Sequence, residues 1–285
     1  MAWSNGWPAP AKLNLFLHVV GQREDGYHLL QTVFQFIDLR DELSFEVTDN
    51  SDIELMTPTV GVAPSDDLVV RSAVALQQSA RVKRGARIRL DKQIPMGGGL
   101  GGGSSDAATV LCALNSLWSV GLSATELARI GLELGADVPV FIQGQTAWAE
   151  GVGEHLTPVA MDTGYALLIT PDCPVNTGLV FRDENLTRNT PAIKMHAVSL
   201  DRTHNDCEPV TRRLYPEVAE ALDWLARFAP ARMSGTGASV YAFFDEREQA
   251  DGIAANAPDK WRVQTVSRLN RSPLLDRLAA QSRKQ

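Results

Sequence analysis

The chain has 285 residues, of which 44% are hydrophobic and 21% charged, with a formal net charge of −7. These values are typical of a globular protein with one large or two smaller domains, and the acidic balance argues against a nucleic-acid or anionic-membrane partner. Three separated cysteines without CxxC spacing, no signal-peptide pattern and no long apolar run favour a cytoplasmic location.

The first predicted strand covers residues 11–17, where side chains alternate between two faces. Lys12 and Asn14 share one face, so both can reach a single ligand, although a solvated strand edge is the alternative interpretation. Residues 21–26 predict a turn with Asp25-Gly26 as a hairpin signal. The turn delivers Tyr27 and His28 to the start of a second strand at residues 29–37, where they either contact a base or form an ordinary half-buried pair.

Further short strands are predicted at residues 43–47 and 53–56. A helix start is predicted at residues 64–67 with Ser65 as N-cap, followed by a buried stripe formed by Val69, Ala73, Leu76 and Ala80. Residues 86–91 alternate cleanly and predict a strand that leads through Lys92 into a glycine-rich segment.

The glycine-rich segment spans residues 95–108 and contains six glycines. Such a loop turns its N–H groups toward one point, and the helix predicted to follow at residues 107–118, ending at Gly121, adds its own unpaired N–H groups. The segment therefore predicts an anion site, most simply for phosphate. It lacks the Gly-Lys-Ser/Thr end of a Walker A loop, and a dinucleotide fingerprint fits poorly because no acidic residue ends a strand about 20 positions on.

A second helix is predicted to begin at a capping box of Ser123 and Glu126 and to stop at Gly135. Asp137 follows within the otherwise apolar residues 136–141, and it is either a turn residue or a functional carboxylate. A hairpin is predicted around residues 151–153, and the composition changes near residues 157–163, which is the candidate domain boundary.

The second half is predicted to contain a buried strand at residues 165–169 and, after residues 177–181, a loop-rich stretch at residues 182–205. A helix opens at Pro216, and its inward residues are predicted to be Val218, Leu222, Leu225 and Phe228. Residues 232–239 contain a second glycine segment, which is either a hairpin turn or a further lining of the anion site. A strand at residues 240–244 and a terminal helix at residues 274–280 complete the prediction.

The glycine-rich segment resembles the central motif of the GHMP small-molecule kinases, P-x-x-x-G-L-G-S-S-A-A, with extra glycines before Ser104-Ser105 and with Asp106 ahead of the alanines. Residues 10–15, 21–28 and 134–141 resemble further motifs of a family branch that phosphorylates a diphosphocytidyl methylerythritol in isoprenoid precursor synthesis, and residues 232–239 resemble the third family motif. The resemblance implies an α+β fold of two domains, an ATP-binding domain at residues 1–157 (ribosomal-protein-S5-domain-2-like) and a ferredoxin-like domain at residues 158–285, with the active site between them.

The resemblance also implies ATP-dependent transfer of phosphate to the 2-hydroxyl of the methylerythritol part, with Asp137 as catalytic base and Lys12 as its partner. The implied ATP-binding residues are Lys92, Pro95, Met96, Gly97, Gly98, Gly99, Leu100, Gly101, Gly102, Gly103, Ser104 and Ser105. The implied substrate-binding residues are Asn14, Tyr27, His28, Thr177 and Phe181, among which Tyr27 and Phe181 would stack on the cytosine.

Mg²⁺ is expected to accompany ATP, with Ser105 as a candidate ligand, and the expected assembly is a monomer or homodimer. Asp67 stands where the family often has asparagine, and an aspartate accepts but does not donate a hydrogen bond to adenine. Two alternatives stay open at this point. The chain acts on another acceptor of the family, such as homoserine, mevalonate or a sugar, or it binds nucleotide without catalysis.

Overall fold

A computed structural model describes residues 2–58, 61–63, 65–195 and 199–283. The chain begins with a long antiparallel hairpin of strands β1 (Ser4–Gln22) and β2 (His28–Thr48). The turn contains Gly26 with φ of +89°, as the Asp25-Gly26 signal predicts. The predicted break between residues 37 and 43 is wrong, because β2 runs on for 21 residues. Asp41 lies fully buried in that stretch, and the backbone N–H groups of Gln93 and Ile94 donate to its carboxylate.

The next elements are β3 (Ile53–Leu55), α1 (Leu68–Ala80) and β4 (Gly85–Asp91). The N-cap of α1 is Asp67 and not the predicted Ser65, because Asp67 Oδ1 accepts from the Val69 N–H at 2.8 Å. Pro64, the first residue of the predicted helix start, lies outside the described residues. Strand β4 pairs with β2 and β3 and delivers the chain to the glycine-rich segment, as predicted.

Three helices and a hairpin complete the first half: α2 (Gly102–Leu117), α3 (Ala124–Leu134), α4 (Val138–Gln143), β5 (Ala147–Glu150) and β6 (His155–Pro158). The capping box of Ser123 and Glu126 is present. Helix α2 begins five residues before the predicted position, so its first turn is built from the glycine-rich segment itself. That early start places the helix N-terminus inside the anion site instead of behind it.

The second half contains β7 (Gly164–Pro171), α5 (Thr177–Arg182), a 3₁₀ turn (Leu200–Arg202), α6 (Glu208–Leu214), α7 (Pro216–Leu225), β8 (Ala231–Met233), β9 (Val240–Phe244), α8 (Arg247–Ala254), β10 (Trp261–Leu269) and α9 (Pro273–Ser282). Phe228 is 43% exposed, and its prediction as an inward residue is wrong because α7 ends at Leu225. The sequence analysis did not predict α6, α8 or β10.

The strands form one mixed sheet in the order β3-β4-β2-β10-β7-β9-β8, with β1 and β5 also paired to β2. One apolar cluster lies between the early strands and α1 to α4, and a second lies between the late strands and α6 to α8. The last helix, α9, returns to the first cluster, where Leu274 is buried. Helices and strands in this arrangement confirm the α+β class, and the boundary at residues 157/158 stays a prediction.

Within the described residues, no helix combines the length and the apolarity that a bilayer crossing requires.

Candidate active site

A cavity of about 1260 Å³ opens between the glycine-rich segment and the turn that joins β1 to β2. With one exception, every residue that the sequence analysis assigned to the site lines this cavity. The predicted lining residues that the structure brings together are Lys12, Asn14, Tyr27, His28, Lys92, Pro95, Met96, Gly97, Gly98, Gly99, Leu100, Gly101, Gly102, Gly103, Ser104, Asp137, Thr177 and Phe181. Lys12 and Phe181, which are 169 positions apart in the sequence, thus face one space.

The exception is Ser105, whose side chain is fully buried outside the cavity. Its hydroxyl donates to the Pro10 carbonyl at 2.7 Å, and its N–H bonds to the Gly101 carbonyl inside α2. Both polar groups are therefore engaged by the protein. Ser105 holds the start of α2 against β1, and this position does not suit the predicted role as an ATP or Mg²⁺ ligand.

Lys12 and Asp137 form an ion pair at the floor of the cavity. Lys12 is buried on β1, and its Nζ lies 3.3 Å from Asp137 Oδ2. The same ammonium donates to Asn14 Oδ1 at 2.5 Å and to the Gly99 carbonyl at 3.2 Å. Asp137 occupies the N-cap position of α4, but its side chain makes no capping hydrogen bond and is one-third exposed. Its carboxylate is therefore free to face a ligand, which argues against a purely local role as a cap.

A second glycine segment, residues 234–239, connects β8 to β9 and forms hydrogen bonds with the glycine-rich segment. The N–H groups of Ala238 and Ser239 donate to the carbonyls of Gly97 and Gly98 at 3.1 and 3.0 Å. The Ser234 hydroxyl donates to the Gly99 carbonyl at 2.9 Å. Both interpretations of the second segment therefore hold, since it is a hairpin connection and its members Gly235 and Thr236 also line the cavity.

The start of α2, at Gly102 and Gly103, lines this space. The N-cap is Gly101 in the left-handed conformation, with φ of +72° and no side-chain capping bond. The first N–H groups of a helix have no partner within the helix and carry the positive end of its dipole. An anion in the cavity would therefore meet the N–H groups that the helix does not pair internally.

Lys92, Asp41 and Asp106 form a cluster of charged side chains, and the sequence analysis assigned only Lys92 to the site. Lys92 donates to Asp41 and, at 2.7 Å, to Asp106 Oδ2. Burial favours the neutral amine, but the two carboxylates outweigh it and raise the pKa of Lys92. Burial, reinforced by Asp41, raises the pKa of Asp106 well above its usual range despite Lys92. Within the described residues Asp106 Oδ1 has no hydrogen-bond partner. Asp106 was noted in sequence only as a departure from the motif, and Asp41 gave no signal.

The far wall of the cavity is aromatic. Tyr27 stands at the hairpin turn with 62% of its surface exposed. The His28 ring stacks on Phe181, with centroids 5.1 Å apart and planes at 29°. Burial and the nearby charge of Arg188 lower the pKa of His28. Thr177, at the start of α5, shares a 3.0 Å hydrogen bond with Thr236.

Asp67, which caps α1, also lines the cavity. One of its oxygens is already used by the Val69 N–H. Because the carboxylate offers only acceptors, it complements a donor such as an exocyclic amino group.

Two family models match the chain, GHMP kinases N terminal domain over residues 67–145 and GHMP kinases C terminal over residues 187–263. The chain is 53% identical over 270 residues to a protein of Nitrosococcus oceani named 4-diphosphocytidyl-2-C-methyl-D-erythritol kinase, with 95% of this chain and 96% of the relative covered. A protein of Alkalilimnicola ehrlichii with the same name is 52% identical over 98% of this chain and 96% of its own length.

Among solved structures, a crystal structure of 4-(cytidine 5'-diphospho)-2C-methyl-D-erythritol kinase matches with a TM-score of 0.80 and 34% identity, over 94% of this chain and 99% of that one. Homoserine kinase from Cytophaga hutchinsonii matches with a TM-score of 0.69 and 17% identity, over 95% and 96% of the two chains. This second likeness concerns the fold alone.

Proposed function

Because the chain belongs to the GHMP kinase family, we propose that it phosphorylates the 2-hydroxyl of 4-diphosphocytidyl-2-C-methyl-D-erythritol with ATP, in the non-mevalonate route to isoprenoid precursors. The observation that carries the proposal is one cavity with a glycine-rich anion site, a Lys12–Asp137 pair and an aromatic wall formed by Tyr27, His28 and Phe181. Relatives with more than half of their residues identical carry the name of this activity. The products are the 2-phosphate and ADP.

Phosphoryl transfer requires positioning and charge stabilisation more than covalent catalysis. In the proposed reaction, the 2-hydroxyl oxygen forms a bond to the γ-phosphorus while the bond to the β–γ bridging oxygen breaks. The Asp137 carboxylate accepts the hydroxyl proton as this bond forms, a step of the kind that contributes about 10²–10⁴-fold. Lys12, held by Asn14 and the Gly99 carbonyl, orients Asp137 and faces the charge that develops on the transferring group.

On the nucleotide side, the backbone N–H groups of the glycine-rich segment and of the first turn of α2 hold the β- and γ-phosphates. Lys92 lines the same cavity but is shared between Asp41 and Asp106, so most of its charge is already balanced by the protein. The phosphates therefore rely on backbone dipoles, with the Lys12 ammonium nearby. Such dipoles are fixed before the nucleotide arrives and need no reorganisation during the reaction.

Mg²⁺ fits this site as a companion of ATP and not as the occupant of a protein cage. Within the described residues, no group of three or more acidic, histidine or cysteine side chains is arranged to hold a metal. Mg²⁺ in nucleotide sites is bound by one or two carboxylates together with substrate phosphates. Asp106, whose Oδ1 is unpartnered, is the carboxylate that would hold it. When bound, the ion neutralises phosphate charge.

On the acceptor side, the aromatic wall holds the cytosine ring. Stacking of a base on an aromatic side chain contributes about 1–3 kcal/mol for each base. The exposed ring of Tyr27 and the partly buried ring of Phe181 supply the two faces, and His28 contacts the polar edge of the base. Asn14 and Thr177 contact the polar chain between the base and the reacting hydroxyl.

The test is ADP release by the purified protein with Mg-ATP and a panel of acceptors. We expect turnover with the diphosphocytidyl substrate and little with homoserine, mevalonate or a sugar. A strong preference for one of those acceptors would replace the proposed substrate, and ATP binding without turnover on any acceptor would favour a non-catalytic nucleotide-binding protein.

We propose further that the two domains divide near residue 157 and that the protein acts in the cytoplasm as a monomer or homodimer. The three free cysteines, Cys112, Cys173 and Cys207, support the reducing compartment.

A further inference from the structure

Arg188 connects the two chain segments that form the aromatic wall of the cavity. Its guanidinium donates to the carbonyls of Leu186, Phe181 and Asp183 at 3.1, 3.0 and 2.8 Å. Its remaining bond runs from Nε to Nε2 of His28, at 3.1 Å. The side chain is thus fixed by three backbone acceptors on one segment and directed at one nitrogen of a ring on another segment, 160 positions away.

This bond determines which ring nitrogen of His28 carries the proton. A guanidinium offers only donors, so the nitrogen that it contacts must present a lone pair. A neutral imidazole with an acceptor at Nε2 carries its hydrogen at Nδ1. Burial and Arg188 together lower the pKa of His28, which disfavours the form with protons on both nitrogens. Within the described part of the chain, no hydrogen bond engages Nδ1, and His28 lines the cavity.

We propose that Arg188 is a positioning residue that fixes His28 as the Nδ1–H tautomer and thereby makes the site select cytosine over uracil. This inference rests on the proposed function, since it assigns the base specificity of the same cavity. Arg188 does not line the cavity, so it acts through His28 and not by contact with the substrate.

The selectivity follows from the polar edges of the two pyrimidines. Cytosine has acceptors at O2 and N3, whereas uracil carries a hydrogen at N3. A single donor at Nδ1 satisfies N3 of cytosine but opposes the N3–H of uracil, which leaves two donors facing each other without acceptors. A half-buried pair of unsatisfied groups costs about tenfold to a hundredfold in affinity. The opposite tautomer, with an acceptor at Nδ1, would reverse the preference.

A simpler role for Arg188 is to anchor the turn after α5, which would leave the tautomer incidental. Arg213 provides the matched control, because it also holds this turn, through the Asp183 carboxylate, but does not contact His28. The variants are Arg188→Met, which removes every donor, Arg188→Lys, which keeps the positive charge but not the planar guanidinium, and Arg213→Met. The readouts are the His28 ring nitrogens in long-range ¹H–¹⁵N spectra, and kcat and KM for the cytidyl substrate and its uridyl counterpart at saturating Mg-ATP. A His28→Asn variant assigns the ring signals.

We expect wild-type protein to show the Nδ1–H tautomer and a preference for the cytidyl substrate. In Arg188→Met we expect mixed tautomers, a rise of about tenfold to a hundredfold in the cytidyl KM with kcat changed little, and a smaller preference between the two bases. Arg188→Lys should recover part of the preference, and Arg213→Met should keep the wild-type spectrum and preference.

An Nε2–H signal assigned to His28 in wild-type protein would overturn the proposal, and this measurement needs no substrate. An unchanged base preference in folded Arg188→Met, or an equal loss in Arg213→Met, would reduce Arg188 to an anchor of the turn. Absence of turnover with any cytidyl substrate would instead refute the proposed function, and the spectrum of the wild-type protein would still decide the tautomer.

Discussion

The contact between the two glycine segments provides a sharp test of the site, through the substitution Gly99→Ala. A Cβ at position 99 would lie 2.1 Å from the Ser234 carbonyl oxygen and 2.9 Å from that of Gly237. Both obstacles are backbone atoms, so neither can rotate away. Gly99 also has a φ of +72°, a conformation that L-residues rarely adopt.

The magnitude has two parts. The left-handed conformation costs a non-glycine residue roughly 1–2 kcal/mol, which lowers the free energy of unfolding. Since side-chain Cβ atoms essentially never lie within 3.0 Å of another heavy atom, the two segments must also separate by about 0.9 Å. A misplacement of about 1 Å in an active site costs on the order of 10²-fold in rate. We therefore expect Gly99→Ala to lower kcat/KM for ATP about a hundredfold.

Gly121→Ala is the matched control. Gly121 has a φ of +83°, but a Cβ there would meet nothing within 4 Å, and the residue lies between α2 and α3, away from the cavity. This variant should lose stability from the backbone conformation alone and keep its turnover. The measurements are ADP release at varied ATP concentration and denaturant unfolding of both variants. Turnover of Gly99→Ala within threefold of wild type would refute the reasoning, because the segments would then have separated without disturbing the phosphate site.

Four further outcomes are expected. Asp137→Asn and Lys12→Met should each lower kcat by about 10²–10⁴-fold with an unchanged circular dichroism spectrum, and ADP release that persists within tenfold would remove the base assignment. Phe181→Ala should raise KM for the cytidyl substrate by about ten- to a hundredfold and leave KM for ATP unchanged. An equal rise in both KM values would contradict a role of the ring in binding the cytosine alone. Burial lowers the pKa of His18 in the folded protein. Below about pH 6.5 the unfolded chain therefore binds more protons than the folded one, and the free energy of unfolding should fall from pH 7 to pH 5. Tm measured against pH should decline less steeply in His18→Asn, and identical slopes would contradict this. Ser123→Ala should lower the free energy of unfolding by about 1 kcal/mol in urea titrations while kcat stays constant, and an unshifted midpoint would show that the capping box contributes nothing.

Local signals in the sequence predicted those elements whose first and last residues are determined by neighbouring residues in the chain. The hairpin at Gly26, the capping box at Ser123 and the strand before Lys92 each follow from turn, cap or alternation rules that act within a few positions. The Asp67 cap was missed because Ser65 and Asp67 both satisfy the same rule, and the local sequence does not decide between them.

Elements stabilised by distant partners were not predictable in this way. Strand β2 continues through polar residues because Asp41 is satisfied by Gln93 and Ile94, which lie about 50 positions later in the sequence. Strand β10 depends on its pairing with β7, and its own residues alternate weakly. For the candidate site, a motif identifies which residues to consider but not which way they face. The motif thus assigns Ser105 to ATP although its hydroxyl donates to the Pro10 carbonyl, and it gives no signal for Arg188, whose bond to His28 spans 160 positions.

Helix α9 completes the first core from the second half of the sequence. Leu274 is buried in that core, and Arg277 lies over the ring of Trp7, 4.2 Å from its centroid. The core of the first half therefore depends on a helix from the second half, and the face that α9 covers includes α2, whose first turn lines the cavity. A fragment of residues 1–157 alone would expose apolar surface on that face, so a change in α9 can weaken the cavity without touching any residue that lines it.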